Sequence, residues 1–465
     1  MQILGLLLPI LLGLTVCRLI IQKVAIPVRL ALAYSLGFGF LTLAMFFLNV
    51  IGLKFSLLNT TVLVSVIIGI LWVFRGKRNW LELRSTLKVN PFAGIKQSLI
   101  SLSAFEKVLV GLLIFFLFSH LVITVYWPVV RADSLTLYDL RARLLFAEQS
   151  FPGAVARFDN QLVNMNWTRP VFAHAPMTSL IHTWFYLSGW ASPKFFYALL
   201  FISMAILFYH FLRIHVPRYH ALLFTLVLVT IPFTYVYAAS SYPHFAVAFY
   251  FGIGTFYLYR WIREQKWSFL LLSGTFLAFS SWVRQVSGAF FLGYLVIVLY
   301  VAITRRRFLA PVLFCALYFP VHLLWSIYTE NVLHLVGGIG PAVSESLVYL
   351  KDIRALLMVA KWRSVLNYLW NTALVGFRPV HYFLILVIIL YINRVWKHRF
   401  LFLLVLSNLA VLLIGAYITA ITITGDPQGH PSSIQRLYIM FLPIIWYLIA
   451  LITAEPDYIK RATSR

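Results

Sequence analysis

The chain is 465 residues long, 62% hydrophobic and only 11% charged, where an ordinary soluble domain carries about 25% charged residues. That balance excludes a soluble enzyme and points to an all-α, polytopic membrane protein. The formal net charge of +25 invites nucleic acid as a partner, but the Lys and Arg stand in blocks beside apolar runs, where membrane topology and anionic lipid account for them; no nucleic-acid partner is expected.

Apolar runs long enough to cross a bilayer as helices lie at approximately 3–17, 30–52, 57–74, 108–130, 195–212, 221–238, 244–259, 268–283, 286–304, 308–325, 379–393, 400–422 and 437–454, about 13 spans in all. The first follows Met1-Gln2 directly, without the basic region of a cleaved signal peptide, and reads as a retained span. Cys17 and Cys315 both fall inside apolar runs and show no metal-ligand spacing. The 14 Trp and 25 Tyr suit the two headgroup levels, where amphipathic rings collect.

Basic clusters recur at alternate gaps between the runs: Arg18 to Arg29, Arg75 to Lys107, Arg213 with Arg218, Arg260 to Lys266, Arg305 to Arg307, Arg394 to Arg399 and Lys460 to Arg465, holding 24 of the 38 Lys and Arg. The positive-inside rule puts these gaps in the cytoplasm, the N-terminus outside and the C-terminus inside. Eight of the 13 acidic residues then face outward. The organisation expected is N-terminal spans with a basic loop over 1–107, a core over 108–325 carrying an outer loop at 131–194, a second outer loop over 326–378, and C-terminal spans over 379–465.

Both outer segments are too long for turns and too aromatic for disorder, so they should fold on the membrane surface. Over Leu135 to Phe146, Leu137, Leu140, Leu144 and Leu145 with Arg141 and Arg143 between them predict an interfacial amphipathic helix. Glu345 to Trp370, with Lys351, Arg354, Lys361 and Arg363, shows the same mixed periodicity.

Carboxylates at a membrane boundary are costly enough that function is the first suspicion, which singles out Asp133 and Asp139. Spaced about 600° apart on an α-helix, the two would not share a face. Helix capping is the structural alternative for each. Arg284, in a short turn between spans, and Arg436, at the head of the last span, could fork onto a phosphate or simply snorkel to the interface. Lys361, Arg363 and Arg378 make a weaker cationic set. The outward histidines, His174, His182, His244 and His430, lack zinc spacing.

The order Asp133-Ser-Leu-Thr-Leu-Tyr138-Asp139-Leu-Arg-Ala142-Arg143, then His174-Ala-Pro176, then Ser280-Ser-Trp-Val-Arg284, then Pro431-Ser-Ser-Ile-Gln-Arg436 with Pro443 resembles the GT-C membrane glycosyltransferases. The resemblance is to the bacterial branch near the protein O-mannosyltransferases and the aminoarabinose and mannose transferases that use polyprenyl-phosphate sugars. It covers about 108–454, and the His-x-Pro element departs by one residue from the family's His-Pro-Pro. It implies a plasma-membrane enzyme that moves a sugar from a polyprenyl-phosphate donor to a hydroxyl on a protein, lipid or glycan. Asp133 would be the catalytic base, and Tyr138, Asp139, Arg143, His174, Arg284, Arg436, Lys361 and Arg363 would bind substrate. One carboxylate with cations would suffice, whereas two would favour Mg²⁺ or Mn²⁺, so metal use stays open. The rival readings are a transporter or flippase of lipid-linked sugars, which would show repeated halves with broken spans, and a polysaccharide polymerase or ligase, which would place its site in a late outer loop.

Overall fold

The computed structural model describes residues 1–21, 24–73, 100–129, 133–161, 168–335, 359–419 and 431–454, and the regular elements among them are all helical. In chain order the α-helices are α1 (Gln2–Ile20), α2 (Ile26–Val50), α3 (Leu57–Val73), α4 (Ala104–Tyr126), α5 (Leu140–Glu148), α6 (Phe151–Gln161), α7 (Thr168–Ala173), α8 (Met177–Leu187), α9 (Lys194–Arg213), α10 (Arg218–Thr230), α11 (Pro232–Ala239), α12 (Pro243–Glu264), α13 (Trp267–Val283), α14 (Gly288–Thr304), α15 (Leu309–Asn331), α16 (Val359–Tyr368), α17 (Arg378–Leu390), α18 (Ile392–Lys397), α19 (Arg399–Thr419), α20 (Pro431–Tyr438) and α21 (Leu442–Thr453). A helix occupies each expected apolar run.

Among the described residues eight helices are long and apolar enough to cross a bilayer, or ten if each of two bent pairs counts as one span. The chain is therefore a multi-pass membrane protein, and thirteen full spans are not found among those residues. Several apolar runs fall short for physical reasons. Helix α13 stops at 17 residues, α12 carries Arg260, Arg263 and Glu264 in its final turns, and Pro232 breaks one run into α10 and α11, bent by 61°. A proline lacks the N–H that an unbroken helix needs there.

By internal contacts the chain divides into two compact units: Met1–Val163 with Met177–Tyr242, and Asn164–Pro176 with Pro243–Ala454. In the first, α1 and α2 cross with bare backbone at the contact. A Cβ on Gly13 would collide with the Ala33 backbone, and one on Gly37 with the Pro9 backbone, the small-residue packing that brings membrane helices together. Helix α4 opens on a capping box, Ser103 with Glu106, whose carboxylate also receives a fork from Arg218, Nε to Oε1 and Nη2 to Oε2 at 2.8 Å each. Both residues belong to gaps assigned to one side of the membrane. Segments assigned to the other side also meet: Gln2 donates to the Gly189 carbonyl at 2.9 Å, and the Phe151 amide donates to Asn49 Oδ1 at 2.8 Å.

In the second unit, Tyr294 joins α14 to α12 through Thr255 at 2.8 Å and to α19 through Asn408 at 3.1 Å. Arg394 caps the chain end of α21 by donating to the carbonyls of Ile452 and Ala454. Of the sequence expectations, the basic stretches at 75–99 and 460–465, the first part of the expected surface helix at 345–358, with Lys351 and Arg354, and His430 lie outside the described residues.

Candidate functional site

Each unit gathers its own set of candidate residues. In the first, the expected amphipathic helix over 135–146 is instead a π-helical turn, Ser134–Asp139, running into α5. The wider π turn is a form that recurs at functional sites. Asp133 stands at its head with helical backbone angles, and its side chain makes no capping bond. Capping, the structural alternative for Asp133, is therefore not what holds this residue. The next residue is anchored: Ser134 Oγ donates to the Ser240 carbonyl at 2.8 Å.

Helix α8 fastens the rest of the segment. Ser179 Oγ donates to the Tyr138 carbonyl at 3.1 Å and accepts from Arg141 Nε at 2.7 Å, while Thr183 donates to the Ala142 carbonyl at 3.2 Å. Tyr138 and Arg141 are buried, so Arg141 does not lie on a solvated face as an interfacial helix would have it. Burial pushes its guanidinium down to about 10, with Tyr138 acting in the opposite sense, and it stays charged at neutral pH. The signal was in the sequence: Arg141 follows Leu137 by four and precedes Leu144 by three, which places it on the apolar stripe itself.

Asp139, also buried, is the centre of an ionic network. Its Oδ2 accepts from Arg143 Nε at 2.9 Å, and Oδ1 accepts a short hydrogen bond from the Tyr186 hydroxyl. Nδ1 of His182 stands 3.6 Å from Oδ1, and its Nε2 meets the Tyr197 hydroxyl at 2.9 Å. Burial works against ionisation of Asp139, but the His182 ring, the Tyr186 hydroxyl and the Arg143 guanidinium outweigh it and hold the carboxyl well below the usual carboxylate range. Asp139 makes no cap bond to α5. A divalent ion would have to displace Arg143 or Tyr186, so Asp139 does not fit as an open metal ligand. Arg143 itself stays largely exposed, with its guanidinium 5.1 Å from the centre of the Tyr186 ring. Sequence reasoning missed Tyr186 and Tyr197 and noted His182 only as an outward histidine without zinc spacing, although His182 and Tyr186 are one helical turn apart and share a face.

The second unit brings together residues far apart in sequence. His244 opens α12, fully buried. Its Nε2 makes a short contact with a terminal nitrogen of Arg284, and the charges of Arg284, Arg436 and His174 all act on it. Arg284 reaches this place because α13 ends there in extended backbone before a short 3₁₀ turn. His174 follows α7, which Trp325 holds by donating to the Ala173 carbonyl at 3.1 Å, and Arg436 lies in the last turn of α20. Arg284 thus meets His244 directly, and Arg436 and His174 lie near enough for their charges to bear on the same ring.

The weaker cationic set fares differently. Arg378 is committed to the Trp370 carbonyl and to Asn371 Oδ1 at 2.7 Å, and Arg363 is exposed on α16. Lys361 falls in the same helix, but its side chain lies outside the described residues. Among the described residues no three His, Cys, Asp or Glu side chains group as a metal site. Comparison with protein-family models, with curated proteins and with solved structures finds no match, so the reading of these sites stands on their residues.

Proposed function

We propose that the chain is a GT-C-type glycosyltransferase of the plasma membrane. It moves a sugar from a polyprenyl-phosphate donor to a hydroxyl of a protein, lipid or glycan, with the N-terminus and the site on the outer face. The observation that carries this is the convergence of His174, His244, Arg284 and Arg436. Two guanidiniums beside two imidazoles supply what a departing phosphate needs, fixed donors aimed at developing negative charge. In the first unit Asp133, a carboxylate at the head of the π turn, is assigned the general base.

The step is a single displacement. Asp133 takes the acceptor's hydroxyl proton, the acceptor oxygen bonds to the anomeric carbon, and the bond from that carbon to phosphate oxygen breaks. The lipid phosphate leaves with the electron pair, and the sugar inverts. Asp139, Tyr138 and Arg143 hold the segment that carries the base, and Lys361 and Arg363 are assigned to substrate contact.

The test is transfer of radiolabelled sugar from polyprenyl-phosphate donors by purified protein into a pooled membrane and lipid acceptor extract, beside Asp133→Asn. Transfer that disappears in the variant supports the assignment; equal transfer in both removes Asp133 from the chemistry.

One observation favours a second reading. Each unit contains a bent helix pair, Arg218–Thr230 with Pro232–Ala239 and Trp362–Thr372 with Val375–Leu390, and broken helices line the substrate sites of many transporters. A flippase of lipid-linked sugars would move the donor across proteoliposomes without any transfer to an acceptor.

A further inference from the structure

We propose that a pocket around Lys194, in the first unit, binds the phosphate headgroup of a membrane lipid. The pocket encloses about 410 Å³ and is lined by Ile123, Trp127, Pro128, Lys194, Tyr235, Val236, Ala239 and Ser240. Among the described residues Lys194 is its one charged wall residue, and it is only 2% exposed. An ammonium buried to that degree is costly unless paired. Its described partners are the carbonyls of Trp127, at 2.6 Å, and Pro128, at 3.4 Å, and among the described residues no carboxylate forms an ion pair with it.

The helix geometry adds to the demand for an anion. Lys194 is the first residue of the 20-residue helix α9, so its charge adds to the positive end of that helix dipole, where a cation is normally disfavoured. An anion in the pocket compensates both at once.

The surroundings choose a lipid over a soluble ion. Ile123, Trp127 and Val236 are exposed apolar side chains at the pocket, and Trp127 ends a 23-residue span, at the level where lipid phosphates lie. Four wall residues, Tyr235, Val236, Ala239 and Ser240, belong to α11 and its C-cap, the helix that follows the bend at Pro232. One wall residue, Ser240, accepts the hydrogen bond from Ser134 that anchors the turn after Asp133. A phosphate held on Lys194 would therefore lie beside the segment carrying the proposed base, yet the binding itself does not depend on glycosyl transfer.

The test measures binding alone. Purified full-length protein is exchanged into nanodiscs of phosphatidylcholine doped with phosphatidic acid, and the phosphatidic acid retained after stringent washing is counted by native mass spectrometry. Wild type should retain one tightly held molecule. Lys194→Gln should lower retention at least tenfold, and Lys194→Arg should restore it. Val236→Trp fills the pocket from its exposed rim, leaves Lys194 and its carbonyl bonds intact, and should also lower retention tenfold. Equal retention in all four proteins would overturn the proposal, as would displacement of the lipid by micromolar inorganic phosphate, which would make this a site for soluble anions. Loss of sugar transfer in Asp133→Asn with retention unchanged would separate this site from the catalytic reading.

Discussion

Asp139 and His182 stand on different helical segments, and the carboxylate Oδ1 of one lies 3.6 Å from Nδ1 of the other, both side chains almost wholly buried. With Tyr186 and Arg143 completing the network, this contact fixes the π turn that begins at Asp133. Asp139→Asn should leave buried donors facing a neutral amide and destabilise the first unit by about 3 kcal/mol, the cost of breaking one side of a buried ion pair. Thermal unfolding in detergent reads this directly, and an unchanged transition would mean that the network contributes nothing.

The same contact predicts a pH dependence. The Asp139 carboxyl is held below its ordinary range, so its contribution is complete above its unfolded value of about 3.9 and is lost as pH falls below that. Wild type should weaken on that acid side, and Asp139→Asn should show a flatter acid limb. Parallel limbs in the two proteins would count against a depressed carboxyl.

Asp133→Asn should behave in the opposite way. The exchange keeps the side chain's shape at a half-buried position, so it should cost less than about 1 kcal/mol while lowering turnover by about 10²- to 10⁴-fold, the usual contribution of a general base. A large loss of stability with turnover preserved would reverse the roles given to Asp133 and Asp139.

Arg436→Ala and Arg284→Ala should each raise the donor KM more than the acceptor KM. Both guanidiniums act on the same buried His244, so the double variant should depart from additivity by more than about 0.5 kcal/mol. Strict additivity would argue for two independent sites.

Gly37→Leu should destabilise the α1–α2 pair by about 1–3 kcal/mol through overpacking, since even a Cβ there meets the Pro9 backbone. Gly69, whose Cβ would meet nothing within 4 Å, is the matched control in α3. Equal effects at the two positions would deny the close crossing.

Much of this architecture is legible in the residues, because a bilayer imposes length and apolarity on every span. The basic gaps at Glu106 and Arg218 were placed on one side from charge alone, and the two side chains indeed pair. Span quality was less legible: periodicity and apolarity run through Pro232, and only the missing amide reveals the 61° break. At the candidate sites, residue type gave Asp133, Asp139, Arg284 and Arg436. The company they keep was hidden, since His182, Tyr197 and His244 join through contacts between helices distant in sequence. The Lys194 pocket was invisible for the same reason, being assembled from the ends of α4, α9 and α11.

The break at Ile231 has a mechanical consequence. Helix α10 has 13 residues, a rise of about 20 Å, well short of the roughly 30 Å of a hydrocarbon core. Where that flank meets lipid without α11 continuing the span, matching it costs the bilayer fractions of a kcal/mol per Å. The protein's occupancy by lipid should respond to acyl-chain length, which makes bilayer thickness a control variable for this molecule alongside any substrate.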